Sequence, residues 1–393
     1  MTSIRERAQA LAPELQSIKN DIHLHPELSF QEVRTTKIIK DQLLAMGLHL
    51  VDLGMETGAV AVLFGGQEGP TVALRADIDA IEQQEPADNG VVSEEPGKMH
   101  ACGHDFHTTC LLGAAKILSE RKEEIAGNVV FVFQPAEEIT QGAQAMLDHG
   151  LWDKLPVPKP ERIFALHTRP ELPVGDIAAM EGPVMAGKSH FTITLHGKSG
   201  HGGSPHKCTD VIVAAAGVVN ALQTVVSRNT DPLESVVCSV LSIHAGTPDN
   251  FVPDVLTMTG SIRAHGAQAH RHAEQRLEEL TVGVANAYGC TAQVEFHPGV
   301  PATVNSPEMT RIARRSAAAV VGEDHVVSPN PDMGSEDFAV FGQEVPAFFY
   351  WLGTGFPGQH NPCWHNEHFR TDDEAIPLGA ALLAQSALEG LKG

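Results

Sequence analysis

The sequence predicts an α/β protein with a mostly parallel sheet, interrupted by a smaller α+β unit. Two patterns and the chain length carry this reading. Short continuous apolar runs, GAVAVLF, TVALRA, NVVFVF, RIFALH and PAFFYWLG, alternate with helical patterns, as strands buried on both faces do. Over residues 186–297 the order changes to βαββαβ, the split arrangement of a ferredoxin-like domain. At 393 residues the chain exceeds one ordinary core. The expected organisation is a discontinuous domain of residues 1–185 and 298–393, with 186–297 inserted.

Taken in order, IRERAQALAPELQSIKNDIHLH and FQEVRTTKIIKDQLLAMG read as two helices separated by the turn HPELS, the second stopping at Gly47. The five apolar runs then supply strands. In the insertion, HFTITLHG alternates Phe191, Ile193 and Leu195 as a half-buried strand, and Val211, Ala215, Val218, Leu222 and Val225 recur at helical spacing. SVVCSVLSIHAG and DVLTMTGSIRAHG read as two strands, AQAHRHAEQRLEELTVGVANAYG as a helix and CTAQVEFHPG as the last strand.

Lys and Arg number 27 against 49 Asp and Glu, a formal charge of −22. That balance excludes nucleic acid as a partner, because its binding rests on cations neutralising phosphates. It also opposes anionic membranes, and no apolar run in the sequence reads as a span of the ~20 residues needed. The N-terminal stretch MTSIRERAQALAPELQ lacks the apolar core of a secretory signal. Six cysteines in so large a chain read as reduced thiols, and the expected setting is cytoplasmic.

In a parallel sheet, ligands bind beyond the carboxyl ends of the strands. TVALRADIDA ends in Asp77 and Asp79, NVVFVFQPAEE in Glu137 and Glu138, and RIFALHTRP follows its strand with His167. PAFFYWLG leads to His360 and His365, and GKMHACGHDFH adds His100, Cys102, His104, Asp105 and His107. Each has a bland alternative. Asp105 could cap a helix, Cys102 and Cys110 could be small buried hydrophobes, and Asp77 could cap a turn. Glu137–Glu138 could be a solvated pair and His167 a core histidine.

Taken together they suit a metal site. Cys102 and His104 are two apart, so in an extended segment they face the same way. Thiolate and imidazole are good ligands for Zn²⁺ and similar ions, and Glu138, His167 and His365 complete a set of five. Five exceed one tetrahedral ion, which points to two divalent ions (Zn, Mn, Co or Ni) bridged by the Cys102 thiolate. Glu137, beside a ligand, is the expected general base for a metal-activated water, and Asp79 the carboxylate that orients a ligand histidine.

The motifs DIHLHPELSFQEVRTTKIIKDQLLAMG, LRADIDAI, GKMHACGHDFHTTCLLGAAK, FVFQPAEE, GAQAMLDHG, GKSGHGGSPH, MGSEDFAVF and HNEHF occur in this order. Over nearly the whole chain they resemble the two-metal amidohydrolases, among them hippurate hydrolases, indole-acetyl-amino-acid hydrolases, aminoacylases and carboxypeptidases. The resemblance implies a zinc-peptidase-like catalytic domain interrupted by a lid domain that mediates homodimerisation. It also implies hydrolysis of the amide bond of N-acyl amino acids or small dipeptide-like substrates. The same five ligands, the base Glu137 and the supporting Asp79 carry over. So do His201 in GKSGHGG as the oxyanion-stabilising histidine, and Asn250 in DNFVPD and Arg263 in TGSIRA as holders of the substrate carboxylate. The chain departs from the family pattern at Ile81–Glu82, where Leu-Pro is usual. It departs again at Asn366–Glu367, where Ser-Pro is usual, and in having Cys363–Trp364 before His365.

Two rival readings remain at this stage. A cysteine-nucleophile amidase would use Cys102 with His104 as base, and would leave Glu137–Glu138 without a task. A non-catalytic, metal-dependent binding protein would keep the ligands without turnover.

Overall fold

The computed structural model describes residues 2–247 and 250–392. Along the chain, helices α1 (Ile4–Leu24) and α2 (Val33–Ala45) precede strands β1 (His49–Val51), β2 (Ala59–Phe64) and β3 (Gln67–Asp77). Helix α3 (His104–Ser119), strand β4 (Ala126–Gln134), helix α4 (Gly142–Asp148), and strands β5 (Arg162–Pro173) and β6 (Ile177–Ala178) follow. Next come β7 (Gly187–His196), α5 (Val211–Asn229), β8 (Val236–Ala245), β9 (Val255–Ala264), α6 (Ala267–Ala287) and β10 (Thr291–Pro298). Helix α7 (Pro307–Val321), strands β11 (Val326–Val327) and β12 (Ala347–Gly355), and helix α8 (Ile376–Lys392) end the chain.

These elements form two compact units, one of Met1–Gly182, Val304–Asn330 and Asp337–Gly393, the other of Pro183–Thr303 and Pro331–Glu336. In the first, eight strands pair in the order β1-β2-β4-β3-β5-β12-β6-β11. Strand β3 runs parallel to β4 and β5, and β5 parallel to β12. Helices α3 and α8 pack on β3 and β5 and on each other, with α1 against both helices. Cover on both faces is why these strands read as unbroken apolar runs. It also hides direction. The run GAVAVLF, one of the strands of the expected mostly parallel sheet, is β2 and runs antiparallel to β4. Its burial is continuous until Phe64, so the apolar pattern is the same in either orientation.

Helix α1 begins with a capping box between Ser3 and Glu6 and buries Ile4, Ala8, Leu11, Leu15 and Ile22, one stripe at helical spacing. In the second unit the antiparallel order β8-β9-β7-β10 with α5 and α6 is the ferredoxin-like arrangement, and Phe191, Ile193 and Leu195 of β7 face the two helices' buried stripes.

Helix α5 corrects the expectation that no run approaches a membrane-spanning length. Its 19 residues are long and apolar enough to pass that test. The physical reason is a helix apolar beyond its core stripe. Val211, Ala214, Ala215, Val218, Leu222 and Val225 are buried, while Ile212, Val213 and Val226 lie exposed on the outer side.

Candidate metal centre

Parallel pairing delivers the carboxyl ends of β3, β4 and β5 to one edge of the first unit's sheet. Asp77 ends β3 opposite Gln134, which ends β4, and His167 of β5 pairs with Trp351 of β12. The turn after β4 carries Glu137 and Glu138. The segment before α3 brings in Cys102 and His104 through a sharp turn at Gly103 (φ +86°), where a Cβ would lie 2.9 Å from Thr168. Cys102 and His104 therefore converge because a left-handed glycine folds the chain between them, and not because the segment is extended.

Several groups of donor atoms each lie within 4.8 Å of one another, and two of them hold Cys102: Cys102, His104 and His167 in one, and Cys102, Glu138 and His365 in the other. Asp77, His107, Glu137, Glu336 and Asp337 form further groups around them. Cys102 Sγ lies 3.4 Å from His167 Nε2, and His365 Nε2 lies 3.2 Å from Glu138. Glu137 is adjacent: its Oε2 and Glu138 Oε1 each stand 3.9 Å from His104 Nε2. His201, Asn250 and Arg263 belong to the second unit. There His201 pairs with Phe251, and the Asn250 carbonyl accepts the Gly202 N–H. Arg263 donates to the Met333 carbonyl at 2.8 Å and to the Ser335 hydroxyl.

Fixed partners set each ring's tautomer. His167 Nδ1 is 2.8 Å from the Thr168 carbonyl, which can only accept, so Nδ1 carries the proton and Nε2 faces Cys102. His104 Nδ1 meets Asp79 at 3.2 Å, leaving its buried Nε2 with no hydrogen-bond partner among the described residues. That orphaned nitrogen points at the three carboxylates around it. A buried ring nitrogen without a partner is unfavourable in protein but apt for a cation, whether a proton or a metal ion.

Sequence reading gave His107, Arg75, Thr168 and Trp364 no task. His107 Nδ1 bonds Asp77 at 2.6 Å while its Nε2 accepts the Thr168 N–H. The Thr168 hydroxyl donates to the Cys102 carbonyl, and Trp364 Nε1 donates to the Thr168 carbonyl. One residue so joins Cys102, His107, His167 and the loop of His365, itself at φ +59°. The unusual Trp364 thus has a structural use. The available signal for His107 was its place in a metal-rich cluster. For Thr168 there was none.

Burial disfavours the charged forms of His104, Asp77 and His167, and for the first two the neighbours oppose it. Burial would lower His104, yet Asp77, Asp79 and Glu138 push it up to about 10. Burial would raise Asp77, but His104, His107 and Arg75 hold it well below the usual carboxylate range. His167, buried beside His107, is driven well below the usual imidazole range and stays neutral. The pocket thus concentrates negative potential on His104 Nε2, where positive charge is stabilised as a proton or as a metal ion. The residues fit a pair of divalent cations.

Of the bland alternatives, Cys110 is a buried core residue whose thiol burial pushes up. Asp105 caps nothing. It bonds His23 at 2.8 Å, and His23 also meets Glu85. Among the described residues, His100 is buried with neither ring nitrogen bonded, His360 is exposed, and neither joins a donor group.

A sheet edge that gathers thiolate, imidazole and carboxylate donors around an acidic, largely buried space defines a metal-dependent hydrolase. The description "Peptidase family M20/M25/M40" matches residues 73–389, and the chain belongs to that family. It is 37% identical over 381 residues to an N-acetylcysteine deacetylase of Bacillus subtilis (strain 168), covering 97% of both chains. It is 37% identical over 375 residues to the IAA-amino acid hydrolase ILR1-like 4 of Arabidopsis thaliana, covering 94% of this chain and 84% of that one. A solved structure of Bacillus subtilis YXEP protein, described as a dinuclear metal binding peptidase of the M20 family, superposes with a TM-score of 0.86. It is 35% identical, with 98% and 99% of the two chains covered.

Asp79→Ala, which frees the His104 ring, should weaken Zn²⁺ binding about 10–100-fold by calorimetric titration; unchanged affinity would deny Asp79 this role. His23 offers a test by pH. Burial opposes its charge, but Asp105 and Glu85 raise it to about 9, above the ~6.5 of an unfolded histidine. Its stabilisation is therefore complete below about pH 6.5 and lost as pH rises through about 9. In urea unfolding, the deficit of His23→Gln against the parent protein should shrink across that interval, whereas a constant deficit contradicts the charged pair.

Proposed function

We propose that the chain hydrolyses the amide bond of N-acyl amino acids or small dipeptide-like substrates, with two divalent ions seated by Cys102, His104, Glu138, His167 and His365. The observation that carries this reading is the pair of donor clusters sharing Cys102. When bound, two such ions supply Lewis acidity that brings a water's pKa towards ~7 and polarises the substrate carbonyl. Glu137 takes the water's proton on Oε2 and hands it to the departing amine nitrogen. Its other oxygen, Oε1, accepts the Asp337 N–H at 3.4 Å, which keeps the carboxylate aimed. Asp79 holds His104 with Nε2 forward. His201 stabilises the oxyanion, and Asn250 and Arg263 hold the free carboxylate.

A cysteine nucleophile paired with His104 is disfavoured by the geometry, since Sγ approaches His167 and His104 Nδ1 is committed to Asp79. It also fits neither the family nor the acidic surroundings.

A homodimer formed through the second unit belongs to the same proposal. It is supported by the exposed Ile212, Val213 and Val226 of α5 and by Leu241 and Ile243 on the edge strand β8. Six cysteines, none of them in a disulfide, support a cytoplasmic setting.

Glu137→Gln should retain both ions by plasma emission yet lose about 10²–10⁴ in kcat against N-acetyl amino acids. Near-normal turnover would remove Glu137 from the mechanism. Chelation should abolish activity and added Zn²⁺, Mn²⁺, Co²⁺ or Ni²⁺ restore it; survival of chelation with death on alkylation would restore the thiol enzyme. Sedimentation velocity should give twice the chain mass, and a monomer at working concentration would refute the dimer.

A further inference from the structure

Glu32 follows the turn that separates α1 from α2, where a polar side chain ordinarily faces water. It is instead completely buried and makes no capping bond to its own helix. Its Oε1 accepts the Ala136 N–H at 2.9 Å, and its Oε2 has no hydrogen-bond partner within bonding distance among the described residues. The backbone N–H groups of Phe30 and of Glu32 itself also favour the carboxylate.

Ala136 is the residue immediately before Glu137 and stands at φ +54°. L-residues avoid that region because Cβ crowds the following carbonyl, so the turn needs an external hold. Thr140, on the far side of the pair, is at φ +55°. Gly142 behind it is packed so closely that a Cβ would sit 1.6 Å from the Pro135 carbonyl oxygen.

Three successive N–H groups of this turn are received by two buried carboxyl groups. Ala136 donates to Glu32, Glu137 to Asp79 Oδ1 at 3.1 Å, and Glu138 to Asp79 Oδ2 at 3.0 Å. Asp79 is fixed in turn by the Ser29 hydroxyl at 2.7 Å, three residues before Glu32. The HPELSFQE segment therefore reaches the turn twice, once through Asp79 and once directly.

We propose that Glu32 is a positioning residue for amide hydrolysis: by receiving the Ala136 N–H it locks the left-handed turn that aims Glu137 at the reacting water. The inference rests on the reading of Glu137 as the base. Burial, with repulsion from Asp79, raises the Glu32 carboxyl to about 7. The hold does not depend on which form is present, since a proton on the unpartnered Oε2 leaves Oε1 an acceptor. Glutamine, the shape of that protonated form, keeps the acceptor; alanine removes it.

The test compares Glu32→Ala, Glu32→Gln and Glu137→Gln in the metal-loaded, full-length enzyme. The readings are kcat and KM for an N-acetyl amino acid, bound metal, and the thermal melt. Glu32→Ala should keep its two ions and a KM within about twofold of the parent but lose about 10–100-fold in kcat, the scale of a misaimed catalytic group. Glu32→Gln should stay within about threefold of the parent. Should Glu32→Ala fail to fold, Glu32→Asp, one methylene short of Ala136, takes its place with the same expectation. Parent-like kcat in Glu32→Ala beside an inactive Glu137→Gln overturns the inference and leaves the base in place. Equal losses in the Ala and Gln variants also overturn it, because the retained acceptor then does nothing. An active Glu137→Gln overturns the reading on which both depend.

Discussion

Arg75 lies fully buried between Asp77 at 2.7 Å and Asp337 at 3.2 Å, with Gln134 on its Nε, and the acidic end of the sheet is built around it. Three carboxylates follow strands β3 and β4 (Asp79, Glu137 and Glu138), and burying them together is unfavourable unless positive charge is supplied. Two further carboxylates lie deeper, Asp77 and Asp337, and Arg75 pairs with both. The outer ones are left facing His104, whose ring nitrogen they turn into a strong cation acceptor. A single fixed guanidinium thus offsets part of the negative charge at the floor of the site, with His107 beside Asp77, and leaves the mouth negative.

Around that electrostatic arrangement the geometry is set mainly by hydrogen bonds of backbone groups. Thr168 ties the Cys102 segment to the His167 strand and receives the indole of Trp364, and His107 accepts its N–H from behind. The turn of Glu137 and Glu138 hangs from Asp79 and Glu32. Backbone groups carry little conformational freedom of their own, so contacts to them fix side-chain origins more firmly than contacts between long side chains would. Positive φ at Ala136, Thr140 and His365 marks where the chain is bent to meet this demand.

The second unit has a different economy of surface. Its helix α5 is apolar around more than its core stripe, and the edge strand β8 shows Leu241 and Ile243 to the outside. The first unit also exposes large apolar side chains, among them Phe30, Val33, Leu44 and Phe64, but its long strands are buried along most of their length.

Much of this was legible in sequence. Alternating apolar runs and helices gave an α/β class. Donors after successive strands pointed to Glu138, His167 and His365, and the cluster before a helix to Cys102 and His104; the fold brings these five into two groups that share Cys102. Strand direction was not legible for β2, because full burial erases the periodicity that would report it. Nor were the turn at Gly103, the tautomers of His104 and His167, the Thr168 junction or the burial of Glu32. Sequence by itself determined the chemical kinds of donor and their order along the chain, because residue type and local periodicity are properties of short stretches. Only the tertiary structure decided which lone pair faces the cation and which N–H each buried carboxylate receives, because those depend on hydrogen bonds between segments as far apart as Glu32 and Ala136.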